Sequence, residues 1–533
     1  MISPARRAAL ALAVAAAALA AHGGALANGF VWDDEAVVVG NPATRDLRAL
    51  PRVLMSPDER PPYYRPLNRA AYLVDHAVFG MDPRGFHAVG LALHALASAL
   101  LTLLALRLLG DAWASALAGL VLAVHPIACE AVSFVTARNN LFALAFSLAA
   151  WLAFARAVES RSRAWAALSG TAFLLGLFSK EPAAMLLPLL AGWMMLPDEV
   201  NPLAGERFIR RVRWLLPHVA ALAVYLVLRG IALSGAPVPV DPAPPGITAR
   251  VSALGWIVPT YLRLLVWPDA LTVFHPAVGP HGALAWTSVA VAWTGLASVV
   301  AVQVRRPTMA GMLGMLWAAL TLLPASGLVA IPASPVAERF AYLPLAGVAL
   351  VAGDLALRAV RPGLPRLALD VAAALVFALL AVRARDRTRD WHDDVALFTS
   401  AARVNPASRD AWFDLGVAQK DAGDLAGARA SWTSALRLVP RDAEAHSQLG
   451  TLEAVEGHDA AAEAHLRAAL AERPELDQAR YNLALILERE GRTAEAMAEY
   501  AAVAVRTSRA DLATKAAARV RDLAALREGD SRQ

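Results

Sequence analysis

The chain has one cysteine, Cys129, so it can form no internal disulfide and no cysteine-built metal site. Charge is scarce as well. Asp, Glu, Lys and Arg together make up 18% of the 533 residues, against 57% apolar residues, a balance that soluble proteins of this length rarely show. The net charge of +5 forms no continuous basic stripe. Its arginines fall in short clusters between apolar blocks, which excludes a nucleic-acid surface and reads as a topology signal. The apolar blocks hold few acids, and no pair of interrupted blocks recurs in matching halves, which argues against a transporter.

What is abundant is long apolar sequence, and it is confined to the region before about residue 382. A helix needs roughly 20 mostly apolar residues to cross the hydrocarbon core. By that measure about eleven passes are expected, near 8–27, 86–106, 112–125, 141–157, 164–178, 183–196, 214–233, 285–304, 309–323, 341–360 and 367–382. The first also has the basic start and the Ala-Leu-Ala ending of a cleavable signal peptide; a retained helix is the preferred reading. The stretch 251–267 contains Pro259 and Arg263 and follows the proline-rich run 237–245, so it is expected to be re-entrant or interfacial. The basic clusters at Arg6/Arg7, Arg107, 156–163, 207–213, Arg305/Arg306 and 361–366 then share the cytoplasmic side, and the C-terminal region lies outside. Arg383, Arg385, Arg387 and Arg389, after the last helix, run against that orientation.

From Asn405 onward the sequence repeats every 34 residues. Pro406, Pro440 and Pro474 keep step, as do Gly423, Gly457 and Gly491; Ala428, Ala462 and Ala496; and Trp432, Leu466 and Tyr500. This is the tetratricopeptide pattern, in which small residues let paired helices approach, large ones fill the gaps and glycine makes the turn. The expected fold is therefore all-α: a polytopic bundle followed by an α-solenoid. Its parts are a first helix or signal anchor at 1–27, an outer loop at 28–85, membrane helices over 86–382, a linker at 383–404, repeats at 406–439, 440–473 and 474–507, and a capping helix. A peptide or protein ligand is expected on the repeats.

Ionisable residues beside membrane helices are candidates for function. Asp33, Asp34 and Glu35 follow the first helix; such a run binds a cation, accepts a proton from a nucleophile, or hydrates a loop. Pro62-Tyr63-Tyr64-Arg65-Pro66 lies in the same loop. His125-Pro126-Ile127 with Glu130, then Arg138-Asn139-Asn140, Ser179-Lys180-Glu181-Pro182 and Ala337-Glu338-Arg339 are assigned to the same membrane face. Each has a plainer reading: Lys180 and Glu181 as an interfacial pair, Glu338 and Arg339 as a packing ion pair, His125 as a helix-end residue. Together they describe a wet site with acids for chemistry and cations for an anionic group, such as a lipid-linked phosphate drawn from the bilayer.

At these motifs the sequence resembles the transmembrane and tetratricopeptide-repeat family of protein O-mannosyltransferase-like proteins, within the GT-C class of membrane glycosyltransferases. The resemblance rests on Phe30-Val31-Trp32-Asp33-Asp34, the Tyr-Arg-Pro-Leu run at Tyr64, His-Pro-Ile-X-X-Glu-Ala-Val from His125, Arg138, Ser-Lys-Glu at Ser179, Ala-Glu-Arg-X-X-Tyr-Leu-Pro from Ala337, and the repeats. It departs at Ala128-Cys129 and Asn139-Asn140. It implies a GT-C-like fold and transfer of a hexose such as mannose from a polyprenyl-phosphate-linked donor to a hydroxyl of an extracytoplasmic protein or glycan. Asp33 and Asp34 would be the acidic pair, one of them the general base; Arg65, Arg138, Lys180 and Arg339 would bind donor phosphate, with His125, Glu130, Glu181 and Glu338 around it. A divalent metal at Asp33 and Asp34 stays open, two acids being too few ligands to assert one. The alanine- and arginine-rich composition suggests a bacterial inner membrane with site and repeats facing the periplasm. The competing reading is a non-catalytic membrane anchor that displays repeats for envelope protein assembly.

Overall fold

The computed structural model describes residues 2–58, 63–195, 211–234, 246–276, 282–328, 335–360 and 366–530. Pro62, the run 237–245, Arg207 to Arg210 and Arg361 lie outside the described residues. The chain divides into two compact units, residues 1–396 and 397–533.

The first unit is a bundle of apolar helices, and the chain is an integral membrane protein. Among the described residues seven helices are long and apolar enough to cross a bilayer: Pro4–Ala27, Pro83–Leu109, Val135–Ser160, Arg213–Leu233, Ala285–Arg305, Tyr342–Ala359 and Arg366–Arg389. Ala112–Val124 and Pro126–Ser133 make an eighth if they count as one span bent by 45°, and Met309–Ala325 is a shorter apolar helix. The expected count of eleven is thus too high among the described residues. Helix Arg163–Ser179 has only 17 residues, and the segment after it is a tight turn followed by nine helical residues, Leu186–Met194. The stretch expected to be re-entrant or interfacial is one continuous helix, Ile247–Val266, with Pro259 inside it, and is not among the helices long and apolar enough to cross.

Proline sets where these helices break. Ala112–Val124 stops at His125, whose backbone is extended ahead of Pro126, as the crowding of a following proline ring demands. Arg163–Ser179 ends at the extended Lys180, and Pro182 opens the next turn. A short turn, Glu338–Phe340, precedes Tyr342–Ala359, which carries Pro344 in its first turn. The side chains at these three breaks meet one another, and they make the site described below.

In the second unit the 34-residue repeat is realised as successive helix pairs: Arg409–Asp421 with Leu425–Leu438, Ala443–Val455 with Asp459–Glu472, and Asp477–Arg489 with Thr493–Arg506, followed by Ala510–Asp530. Gly423, Gly457 and Gly491 end the first helix of each pair at φ between +74° and +84°, a region open to glycine at little cost. Trp432, Leu466 and Tyr500 are fully buried, as are Ala428, Ala462 and Ala496. A Cβ on Gly416 would lie 2.5 Å from the Trp432 ring, and one on Gly450 would lie 2.7 Å from Leu466. Small residues there are what let each pair close.

Candidate functional site

The acidic run divides by depth. Asp34 is fully buried, and its carboxylate accepts hydrogen bonds from the Thr136 hydroxyl (2.6 Å), the Thr136 N–H (2.7 Å), the Val135 N–H (3.3 Å) and the Val31 N–H (3.4 Å). It fastens the loop to the turn before helix Asn139–Ser160. Burial pushes its carboxyl up to about 7 against those four donors. Both of its oxygens are thus already engaged by donors from the protein. Asp33 beside it is only half-buried, so of the expected pair it is the more accessible acid. Among the described residues neither carboxylate gathers with two further ligands in a metal-holding group.

The loop bearing these acids is strained. Trp32 has φ +55°, a left-handed conformation that costs a non-glycine residue about 1–2 kcal/mol. Its ring stacks on Phe134 (centroids 5.5 Å apart), and the Arg339 guanidinium lies 5.9 Å from the ring centre. Arg339 joins the acid loop to the cationic cluster: its backbone N–H donates to Glu130 (2.8 Å), its guanidinium pairs with Glu130, and it also lies 5.1 Å from the Phe340 ring centre.

On that same Phe340 ring, also 5.1 Å from its centre, sits the Lys180 ammonium. Because Lys180 is extended, it and Glu181 diverge. Lys180 is nearly buried and donates to Asn140 Oδ1 (2.6 Å), while Glu181 receives Arg65 side-on through Nε (3.1 and 3.3 Å) and Nη2 (2.8 Å). Arg229 adds a contact to Glu181 at 3.8 Å. The plainer reading of Lys180 and Glu181 as a pair is not met by a direct contact between them. Burial, then the charges of Arg65 and Arg339, hold the Lys180 ammonium well below the ordinary lysine range. Glu181 is held below its usual range because Arg65 outweighs the upward push of burial. Among the described residues no carboxylate lies within ion-pairing distance of Lys180. It is also the only lysine in residues 1–396.

Three expected ligands lie apart from the Lys180 contacts. His125 Nε2 donates to the Leu265 carbonyl (3.1 Å), and its Nδ1 accepts from the Ile127 N–H (3.2 Å), so neither nitrogen remains for a phosphate. Arg138 is buried with its Nη1 against Asp75 (2.5 Å) and its guanidinium beside the Tyr72 ring, while its Nε and Nη2 are buried without a hydrogen-bond partner among the described residues. Glu338 pairs with Arg387 (3.3 Å), not with Arg339. Arg387, far along the sequence from the first helix, is fully buried and also meets Asp390 at 3.0 Å. Arg389 pairs with Asp386, and Arg383 donates to the Asp269 carbonyl. Three of the four arginines that ran against the expected orientation are therefore engaged by acids or a carbonyl.

Sequence reading placed Asn140 beside the site without its role of orienting Lys180, and missed Phe340, which carries both cations, and Asp75, the partner of Arg138. Only the proline after each motif hinted at the helix breaks that bring them together.

The fold and this constellation define an all-α integral membrane protein with an acid-bearing loop facing a cluster of cations at one end of its helices. Residues 71–229 match the family model described as dolichyl-phosphate-mannose-protein mannosyltransferase. The chain is 30% identical over 270 residues to protein O-mannosyl-transferase Tmtc2 of Drosophila melanogaster, covering 46% of this chain and 28% of the relative. It is 27% identical over 484 residues to Tmtc1 of the same fly, covering 71% and 56%. The chain thus spans between about a quarter and somewhat over half the length of these relatives. The resemblance read from the motifs extends to the sequences of named members. Among solved structures, ArnT from Cupriavidus metallidurans bound to undecaprenyl phosphate aligns at a TM-score of 0.43 and 14% identity, over 89% of this chain and 81% of that one. The Archaeoglobus fulgidus oligosaccharyltransferase aligns at 0.40 and 15%, over 71% and 56%. At such scores neither adds to the reading of the site.

Proposed function

We propose that the chain is a GT-C-type glycosyltransferase moving a hexose such as mannose from a polyprenyl-phosphate-linked donor to a hydroxyl of a protein or glycan. The observation that carries this reading is Lys180: a nearly buried cation with no carboxylate partner, between two Arg–Glu pairs and across Arg339 from an acid-bearing loop. Burying a charge that no carboxylate pairs with directly is costly, and an arriving phosphate adds a contacting anion to the more distant Glu181 and Glu130. Arg65 and Arg339 already have partners, so they shape and flank the phosphate position while Lys180 neutralises it.

In the reaction, Asp33 takes the proton of the acceptor hydroxyl as that oxygen attacks the anomeric carbon. The bond from that carbon to the phosphate oxygen breaks, and the lipid phosphate departs with the electron pair and inverts the centre. Phosphate needs no protein acid to leave, so the site's work is positioning and charge neutralisation. The names of the sequence relatives support a protein acceptor. In a bacterium the site and the repeats face the periplasm from the inner membrane, and the repeats hold a peptide or protein ligand.

The test is transfer of labelled hexose from a polyprenyl-phosphate donor by the full chain in lipid nanodiscs. Wild type is expected to turn the donor over and Asp33→Asn to abolish turnover at equal membrane abundance. Equal turnover by both, or none by wild type while a deletion phenotype is still rescued by Asp33→Asn, would replace the enzyme with a membrane-anchored repeat scaffold.

A further inference from the structure

The acid loop is held from the far end of the unit's sequence. At the end of the last membrane helix, Arg366–Arg389, and just beyond it, the segment from Arg387 to Asp394 lies along residues 28–32 and meets them at three polar contacts more than 350 residues apart in sequence. Asn28 Nδ2 donates to the Thr388 carbonyl (3.2 Å), the Gly29 N–H donates to the His392 carbonyl (2.9 Å), and the Trp32 N–H donates to Asp394 Oδ1 (2.7 Å). An aromatic stack runs beside them: Trp391, fully buried, lies 5.5 Å from Phe134, which lies 5.5 Å from Trp32. The segment is itself anchored. Arg387, buried with Glu338, ties it to the turn that presents Arg339 and Phe340.

The last of these contacts falls where the loop most needs support. Trp32 is the residue with φ +55° immediately before Asp33, and backbone in such a region persists only when its surroundings over-determine it. A carboxylate accepting from the Trp32 N–H and a ring stack on its side chain are two such constraints. The Asp34 latch fixes the loop just after Asp33. Asp33 thus sits between two clamps, one from the turn Val135–Arg138 and one from the chain's late segment.

The geometry points to Asp394 and Trp391 as positioning residues that hold the Trp32–Asp33 backbone in the strained conformation from which Asp33 works. Neither residue touches the Lys180 cluster, so each acts through the loop. Because Asp394 is also the first residue of helix Asp394–Val404, the chain passes directly from the acid loop's clamp toward the repeats.

The experiment uses the full chain in nanodiscs and compares wild type, Asp394→Ala, Asp394→Asn and Trp391→Phe by hydrogen exchange and by hexose transfer. Asparagine keeps an acceptor oxygen for the Trp32 N–H, whereas alanine does not. In Asp394→Ala, exchange of peptides covering residues 28–35 is expected to accelerate about ten- to a hundredfold, the range for a hydrogen bond to a charged group. Exchange in Pro83–Leu109 should stay unchanged, and Asp394→Asn should fall within about threefold of wild type. On the kinetic side, which rests on the role given to Asp33 above, Asp394→Ala is expected to lower kcat with little change in the KM for donor, and Asp394→Asn to restore it. Unchanged exchange at 28–35 in Asp394→Ala overturns the proposal whatever the activity. Faster exchange with an unaltered kcat, in a protein that Asp33→Asn inactivates, overturns the positioning role. Absence of any Asp33-dependent transfer fails the enzyme reading alone, and the exchange arm still decides the clamp. Trp391→Phe, which keeps a stacking ring, is expected to match wild type if folding is intact; its loss of kcat together with uniformly faster exchange marks global unfolding, and the two Asp394 variants then carry the decision.

Discussion

Replacing Asp34 by asparagine separates a structural acid from a catalytic one. The side-chain amide keeps its oxygen toward Thr136, whose N–H and hydroxyl lie at 2.7 and 2.6 Å, and this forces the NH2 toward the Val31 and Val135 N–H groups at 3.4 and 3.3 Å. Two donors then face a donor in a fully buried place. Leaving buried polar groups unsatisfied costs about 1–3 kcal/mol, which is roughly a five- to 150-fold rise in local opening. Hydrogen exchange of peptides covering 28–38 and 134–138 should show it, with the helices beyond unaffected. The same assay carries a pH signature. Burial raises the Asp34 carboxyl to about 7, above its unfolded value near about 4. The folded state therefore holds the proton more tightly: although the four donors favour the carboxylate, burial outweighs them, so Asp34's net contribution is whole below about pH 4 and is lost as pH rises through about 7. Wild-type protection of the loop, corrected for intrinsic exchange, should fall between about pH 5 and 8, a dependence that Asp34→Asn removes. If Asp34→Asn abolishes transfer while exchange in both segments matches wild type, Asp34 acts on substrate and the latch assignment is wrong.

Three further outcomes follow from the same geometry. Lys180→Met should weaken binding of a polyprenyl phosphate by about ten- to a hundredfold, and wild-type affinity should decline as pH rises through the depressed Lys180 titration, since the phosphate favours the ammonium; equal affinity in Lys180→Met, measured by calorimetry, would remove Lys180 from the site. Arg387→Met leaves Glu338 buried without its guanidinium, which costs about 3–5 kcal/mol; thermal stability should drop and recover in part when Glu338→Gln is added, whereas additive losses would contradict the pair. In the repeats, Gly450→Ala drives a Cβ to within 2.7 Å of Leu466 and should destabilise by about 1–3 kcal/mol, while Ala484→Gly, at the equivalent position one repeat later, should cost only about 0.5–1 kcal/mol; a calorimetric ranking in the reverse order would refute the pair-closure account.

Much of the architecture follows from residue order alone. Twenty-residue apolar runs have nowhere to go but a bilayer, and a 34-residue spacing of proline, glycine, alanine and a large residue specifies helix pairs, because those are one-dimensional properties of solvent and period. The motifs that meet at the site were legible for a similar reason: each is punctuated by a proline that ends a helix, and helix ends are where polar groups can gather. The sequence could not say which charge answers which. Lys180 and Glu181 are neighbours in the chain yet diverge because Lys180 is extended; Glu338 and Arg339 likewise part to Arg387 and Glu130. His125 reads as a ligand until its two nitrogens are seen to be spent on the backbone of Ile127 and Leu265. The division of Asp33 from Asp34, and the clamp from Asp394 some 360 residues away, depend on contacts between distant segments. Local pattern records the period and polarity of a segment, whereas the pairing of buried charges is decided only when tertiary packing removes water and leaves each group the partners within reach.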